Sequence, residues 1–204
     1  MTKDQENPQP AQDAAPRIPA ETGRLWLPLM VRALVCLGFG ALTIFWGQPS
    51  LAVYQGAVLA YLVLLAAVFA WAAQLATPDS RLPLRVAAGA QLLAAVVVLL
   101  VNPVTDSGVT MALSAGLALA GAVEVGLSLK RRGSEEARVL GRDRLIAGVI
   151  ALGTALLLPF FISLGAHALL GVAGGGAVLT GVLWALGALS LRHDVRVQAA
   201  AAEA

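Results

Sequence analysis

Glu124 is the acidic residue of this 204-residue chain that lies well inside a long apolar segment. It precedes Lys130 by six residues, which places it about 9 Å from the end of a helix that rises ~1.5 Å per residue. A charge at the centre of a bilayer costs on the order of 2.5–3.5 kcal/mol, so such a residue is usually paired or functional. Arg32, Arg85 and Arg144 enter apolar segments from the same predicted side.

This placement leaves three interpretations of Glu124. We favour a structural ion pair with one of the three arginines, because removing a carboxylate from water needs a compensating charge. The second interpretation is a proton-binding carboxylate of a transporter, and the third is a side chain that faces lipid. A nearby arginine would keep the carboxylate charged, whereas burial without a partner would favour the neutral acid.

The other chemically active side chains are too scattered to predict a catalytic or metal site. His167 and His193 lie on opposite predicted sides without a cysteine or carboxylate cluster, so we expect no metal. His167 is interpreted as an interfacial polar residue, with a pH sensor as the alternative. Cys36 is the single cysteine and is expected to be a buried, small apolar side chain. The serines and threonines of the apolar segments lack a histidine partner, so we expect no enzyme and no cofactor.

The composition indicates a membrane protein. The chain is 58% hydrophobic and 13% charged, whereas a soluble domain carries roughly 25% charged residues. Apolar runs of about 20 residues match the ~30 Å hydrocarbon core of a bilayer, where the backbone must be helical. A soluble helical bundle would need a polar stripe on each helix, and none is visible in residues 51–73 or 145–158. The net charge of +2 does not indicate nucleic acid.

An apolar pattern that opens with an arginine and ends at a proline occurs three times, at residues 32–49, 85–103 and 144–159. A second apolar segment follows each copy. The sequence therefore predicts an all-α integral membrane protein with six transmembrane helices, built as three parallel-repeat helical hairpins. The membrane domain is expected at residues 25–191, with hairpins at 25–75, 84–129 and 145–191. Glycine-rich stretches such as residues 171–176 are interpreted as close helix crossings rather than as a hinge or a substrate contact.

Both chain ends are expected in the cytoplasm of a bacterial cell. Residues 1–24 are polar and proline-rich, so they are predicted to be a disordered tail, and residues 192–204 are predicted to be a second tail. All 14 Lys and Arg residues fall in these tails, in the even-numbered loops or at their boundaries. Positively charged loops stay inside, which predicts a multi-pass inner-membrane protein. The charged loop at residues 130–144 is expected to carry a short surface helix.

The pattern resembles the HdeD family of bacterial inner-membrane proteins over roughly residues 26–192. The resemblance implies six membrane helices and a link to acid-stress resistance, and the family offers no catalytic residues to carry over. The long N-terminal tail and the charged loop depart from the family pattern. The resemblance is carried by Trp26 ahead of Arg32, Gly38 and Gly40, Trp46-Gly47-Gln48-Pro49, Asn102-Pro103 and Pro159.

Two function classes follow from the sequence. The first is a membrane protein without a catalytic site that acts in acid or envelope stress through assembly or partner binding. The second is a small proton-coupled transporter or channel that uses Glu124. Transporters usually carry several polar groups near the midplane, and here those positions are almost wholly apolar, which favours the first class. The expected partners are the lipid bilayer and either copies of the chain or other membrane proteins.

Overall fold

The computed structural model describes residues 18, 20–101, 104–130 and 135–203. Every regular element in these ranges is helical, and none of the described residues forms a strand. Most of the predicted N-terminal tail, the Asn102-Pro103 turn and residues 131–134 of the charged loop lie outside the described residues. The elements are α1 (Ala20–Gly23), α2 (Trp26–Phe45), α3 (Leu51–Leu75), α4 (Pro78–Leu100), α5 (Asp106–Lys130), α6 (Glu135–Leu157), a 3₁₀ helix (Leu158–Leu164) and α7 (Gly165–Glu203).

Five helical segments of the described chain are long and apolar enough to cross a bilayer, where the sequence predicted six. Four of them correspond to α2, α3, α4 and α5. The fifth is a helical stretch of 64 residues from Val139 to Ala202, which includes the 3₁₀ helix. A straight helix of that length would measure about 96 Å, three times the thickness of the hydrocarbon core.

The fifth segment folds back on itself at the 3₁₀ helix. Gly165 ends this helix with a φ of +78°, a conformation that glycine adopts without the steric cost of a Cβ. A Cβ at Gly176 of α7 would overlap Thr154 of α6, and a Cβ at Gly187 would lie 2.7 Å from Asp143 Oδ2. An advance of 11 residues along α7 thus corresponds to a retreat of 11 along α6, so the two helices are antiparallel.

The first and last long helices also pack closely and in opposite directions. A Cβ at Gly174 of α7 would overlap Thr43 of α2, and a Cβ at Gly181 would lie 2.8 Å from the Leu37 side chain. Glycine at these crossings lets the backbones approach, which is how membrane helices gain packing energy. Because α2 and α7 are antiparallel, the two ends of the described chain lie at one end of the bundle, which we call the terminal end.

Residues at the edge of the predicted N-terminal tail are ordered at the terminal end. The backbone N–H of Ile18 donates to Gln198 Oε1 at 3.1 Å, and Thr22 is buried. This short part of residues 1–24 therefore contacts the bundle, since Ile18 packs against the core, while disorder of the rest of the tail remains a prediction. The predicted C-terminal tail is likewise helical to Glu203, as a continuation of α7.

The other end of the bundle, which we call the connection end, holds the three connections within the predicted hairpins. Tyr54 Oη and Thr110 Oγ1 are hydrogen-bonded at 2.8 Å and join the starts of α3 and α5. Thr43, near the end of α2, packs against the first half of α7. Superposition of the three hairpins with Pro49, Pro103 and Pro159 as equivalent positions remains a prediction, since Pro103 lies outside the described residues.

The bundle exposes its large apolar side chains and buries several polar ones. Phe45, Ile44, Leu100 and Leu156 are at least two-thirds exposed, which a water-facing surface would not tolerate on this scale. Buried polar side chains in this protein include Gln91, which is 0% exposed. Such an arrangement suits lipid outside and hydrogen bonding inside.

Candidate functional site

An ion pair between Arg32 of α2 and Glu124 of α5 lies in the interior of the bundle. Arg32 Nη1 donates to Glu124 Oε1, and both side chains are buried. Each residue lies six positions from the terminal end of its helix, about 9 Å along the axis. Two helices that are distant in the sequence therefore present opposite charges at the same depth.

Two aromatic rings complete the surroundings of the Arg32 guanidinium. Its Cζ lies 4.5 Å from the centroid of the Phe69 ring on α3 and 4.8 Å from that of the Trp184 ring on α7. Cations are attracted to the faces of aromatic rings, and the attraction reaches ~2 kcal/mol or more when water is excluded. Arg32 thus connects its own helix to α3, α5 and α7 at one point.

Arg144, the second candidate partner of Glu124, pairs with Glu136 instead. Arg144 Nη2 donates to Glu136 Oε1 at 2.7 Å. The carboxylate also accepts hydrogen bonds from Thr77 Oγ1 at 2.5 Å and from Ser80 Oγ at 3.0 Å. This second ion pair connects the start of α6 to the turn between α3 and α4 at the terminal end.

Glu136 lies just before the apolar part of α6 and remains charged in this setting. Burial raises the pKa of its carboxyl, but the Arg144 charge and the hydrogen bonds from Thr77, Arg144 and Ser80 outweigh that effect. The pKa of Glu136 is therefore below its ordinary value. The sequence pattern does not single out Glu136, because this residue falls in the charged loop at residues 130–144, where a short surface helix was expected. The available signal was an acid eight residues before Arg144.

Arg85, the third candidate partner, is not brought to Glu124. It is exposed, whereas Leu84, Ala88 and Gln91 of the same helix are buried. Residues at such spacings of three and four share one helical face. Arg85 belongs to a different face of α4, which points away from the bundle.

Two small cavities adjoin Arg32. The first has a volume of about 20 Å³ and is lined by Arg32, Cys36, Tyr61, Gln91, Thr154 and Thr180, among others. The second also has a volume of about 20 Å³, and its lining includes Arg32, Glu124, Arg144 and Trp184. Small-molecule sites usually measure about 300–1,000 Å³. Neither cavity therefore has room for an organic substrate.

A larger groove of about 450 Å³ lies between α2 and α3 on the outside of the bundle. Its lining is apolar and includes Gly38, Leu42, Ala57 and Leu64. The Phe39 and Tyr61 rings stack with centroids 4.2 Å apart, and Tyr61 lines both the groove and the first cavity. Tyr61 therefore borders the inner cavity as well as the apolar groove, whereas Phe39 borders the groove.

The remaining candidate residues are not assembled into a site. His167 and His193 are both exposed. Cys36 is buried, with its Sγ 3.7 Å from Tyr61 Oη. Among the residues that the structure describes, no three His, Cys, Asp or Glu side chains are grouped so that they could hold a metal ion.

The chain matches no protein-family model, no curated protein and no solved structure. Its function is therefore inferred from its own residues and geometry, and the resemblance to the HdeD family rests on the sequence pattern given above.

Proposed function

We propose that this chain is a multi-pass protein of the bacterial inner membrane that acts through assembly, without catalysing a reaction. It crosses the bilayer six times, keeps both termini in the cytoplasm, and binds copies of itself or other membrane proteins. Its resemblance to the HdeD family connects this role to acid or envelope stress. The enclosed Arg32–Glu124 pair is the observation that carries the proposal.

Six crossings are supported by the direction of the helices. Because α2 and α7 are antiparallel, the chain must cross the bilayer an even number of times when both of these helices are counted. Five crossings would make the first and the last helix parallel. The fold-back at Gly165 supplies the additional crossing inside the fifth apolar segment. The cytoplasmic assignment rests on the terminal end, where Arg81 lies near the start of α4 and Arg192 lies over the Trp26 ring at the start of α2.

A structural role for the ion pair is supported by the way it is enclosed. The Arg32 guanidinium is held by Glu124 and by two aromatic rings, and the adjoining cavities measure only about 20 Å³ each. Transporters usually bind substrate at interrupted helices near the midplane. By contrast, α2, α5 and α7 continue unbroken through the region of the pair. We therefore expect partners to bind at the outer surface of the bundle.

The proposal is tested by separating folding from proton movement in the Glu124→Gln variant. We expect a reduced yield of monodisperse protein in detergent, because the variant leaves the Arg32 charge without its partner. We also expect wild-type proteoliposomes loaded with a pH-sensitive dye to show no proton flux above empty liposomes. Arg85→Gln is the matched control: it removes an exposed charge and should preserve the yield.

A small proton-coupled transporter or channel that uses Glu124 is the second candidate. The observation in its favour is that two small cavities adjoin the Arg32–Glu124 pair, both lined in part by Arg32 and one of them also by Glu124. This candidate predicts proton flux through the wild-type protein, and a Glu124→Gln variant that folds at normal yield but carries no flux. That pair of results would replace the first proposal with the second.

The stress role has its own test in cells that lack the protein. We expect such cells to survive an acid challenge less well than the parent strain, and the wild-type gene to restore survival. Equal survival of the two strains under acid and envelope stress would remove this part of the proposal while leaving the architecture intact.

A further inference from the structure

Four buried polar atoms around the Arg32–Glu124 pair have no hydrogen-bond partner among the described residues: Arg32 Nε, Gln91 Oε1, Glu124 Oε2 and Trp184 Nε1. Their residues are 7%, 0%, 2% and 1% exposed, respectively. Leaving a buried polar atom unsatisfied costs about 1–3 kcal/mol. In native proteins the great majority of such atoms are bonded to protein groups or to ordered water.

The residues that carry the four atoms line the two small cavities. Arg32 lines both cavities and Gln91 lines the first, so the first cavity has an unpaired N–H donor, Arg32 Nε, and an unpaired carbonyl acceptor, Gln91 Oε1, among its lining residues. Trp184 and Glu124 line the second cavity, and they contribute an indole N–H donor and a carboxylate acceptor. One water molecule can accept from such a donor and donate to such an acceptor.

We propose that each cavity is a binding site for an ordered water molecule, so that the ion pair is hydrated on both sides. Each volume of about 20 Å³ exceeds the ~10–15 Å³ that one water needs. Buried waters typically make about three hydrogen bonds, and Thr154 and Thr180 offer further hydroxyl groups in the first cavity. Cavities that stay dry are lined by apolar groups alone, whereas charged side chains lie in the lining of both of these cavities.

The second water connects the two ion pairs of the bundle. Its cavity is lined by both Glu124 and Arg144, and Arg144 in turn holds Glu136. A polar network therefore extends from the terminal end, through Arg144 and the Arg32–Glu124 pair, to Gln91. Gln91 lies 13 residues after the start of α4, about 20 Å along its axis. Water thus reaches the middle of the apolar bundle without an open channel.

Water-edited solid-state NMR of the protein in lipid bilayers tests this proposal. Arginine and tryptophan are labelled with ¹⁵N, and the transfer of polarisation from water to Arg32 Nε and Trp184 Nε1 is measured. The Trp184 signal is assigned by its loss in Trp184→Phe. We expect both nitrogens to receive polarisation at short mixing times, unlike the backbone amides of the dry core residues Val58 and Leu62, which are 0% exposed.

Gln91→Leu provides a variant with an internal control. It removes the unpaired acceptor of the first cavity, so the water contact of Arg32 Nε should weaken, with a remainder from the second cavity that Arg32 also lines, while that of Trp184 Nε1 is unchanged. If this variant does not fold, the comparison within the wild-type protein still decides the question. Transfer to neither nitrogen, or to only one, would overturn the proposal of two water sites.

Discussion

The glycine run in α7 allows a sharp test of how the bundle is packed. A Cβ at Gly174 would overlap the Thr43 side chain of α2, whereas a Cβ at Gly175 would meet nothing within 4 Å. Overpacking costs about 1–3 kcal/mol, and replacing glycine by alanine inside a helix gains roughly 0.5–1 kcal/mol. We therefore expect Gly175→Ala to stabilise the protein slightly. Gly174→Ala should be less stable than Gly175→Ala by about 1–3 kcal/mol.

The measurement is reversible unfolding by SDS in mixed micelles, followed by circular dichroism. Thr43→Ala removes Oγ1 and Cγ2 but leaves Cβ 2.8 Å from the new methyl group, so adding Gly174→Ala to Thr43→Ala should cost less than adding it to the wild type. If Gly174→Ala and Gly175→Ala are equally stable, the close contact between α2 and α7 does not exist as described.

Three further predictions concern charged residues and topology. Glu136 has a lowered pKa in the folded protein, so the stability it contributes is present above its unfolded pKa of about 4.3 and is lost as the pH falls through the folded value. Melting temperatures in detergent from pH 7 to pH 3 should show this loss for the wild type and a smaller one for Glu136→Gln, and parallel curves would contradict it. Arg85→Ala should change the free energy of unfolding by less than about 0.5 kcal/mol, because exposed substitutions rarely exceed this value, and a larger loss in SDS unfolding would indicate an unseen partner. Reporter fusions after Asp79 and Gly133 should be cytoplasmic, and a periplasmic result at Gly133 would refute the six-crossing topology. The periplasmic fusions are expected after Gln48, Ser107 and Leu164.

The sequence was sufficient to locate the helices and the depth of the buried charges. Apolar length identifies α2, α3 and α5 to within about three residues, and the distance to a helix end places Arg32 and Glu124 at equal depth. The predicted start of the third helix at Leu84 is wrong, because α4 begins at Pro78 and includes Pro83. Which of the three arginines pairs with Glu124 depends on how each helix is rotated about its axis. The sequence does not indicate this rotation, because each helix is apolar on nearly every face. Leu84, Ala88 and Gln91 mark the inner face of α4 only once the fold is known.

The other differences between the predicted and the observed structure occur where the local composition favours one structure and contacts with distant residues favour another. In the sequence, the residues on both sides of Glu136 are typical of a loop. In the fold, Arg144, Thr77 and Ser80 bind its buried carboxylate, and α6 begins at Glu135 rather than at the predicted Leu145. Ile18 is a single large apolar residue in a polar tail, and its contact with the core depends on the distant C-terminal helix. Pro159 was expected to end or kink a helix, and α6 does end at Leu157, where a 3₁₀ helix from Leu158 to Leu164 begins.

A double-mutant cycle on the Arg32–Glu124 pair tests the central claim most directly. SDS unfolding would be measured for the wild type, Arg32→Glu, Glu124→Arg and the charge-reversed double variant. Breaking a buried pair costs about 3–5 kcal/mol, so each single variant should be strongly destabilised. The double variant should be more stable than either single one, although Phe69 and Trp184 would lose their contact with a cation. Effects that simply add in the double variant would contradict the claim that this ion pair holds the bundle together.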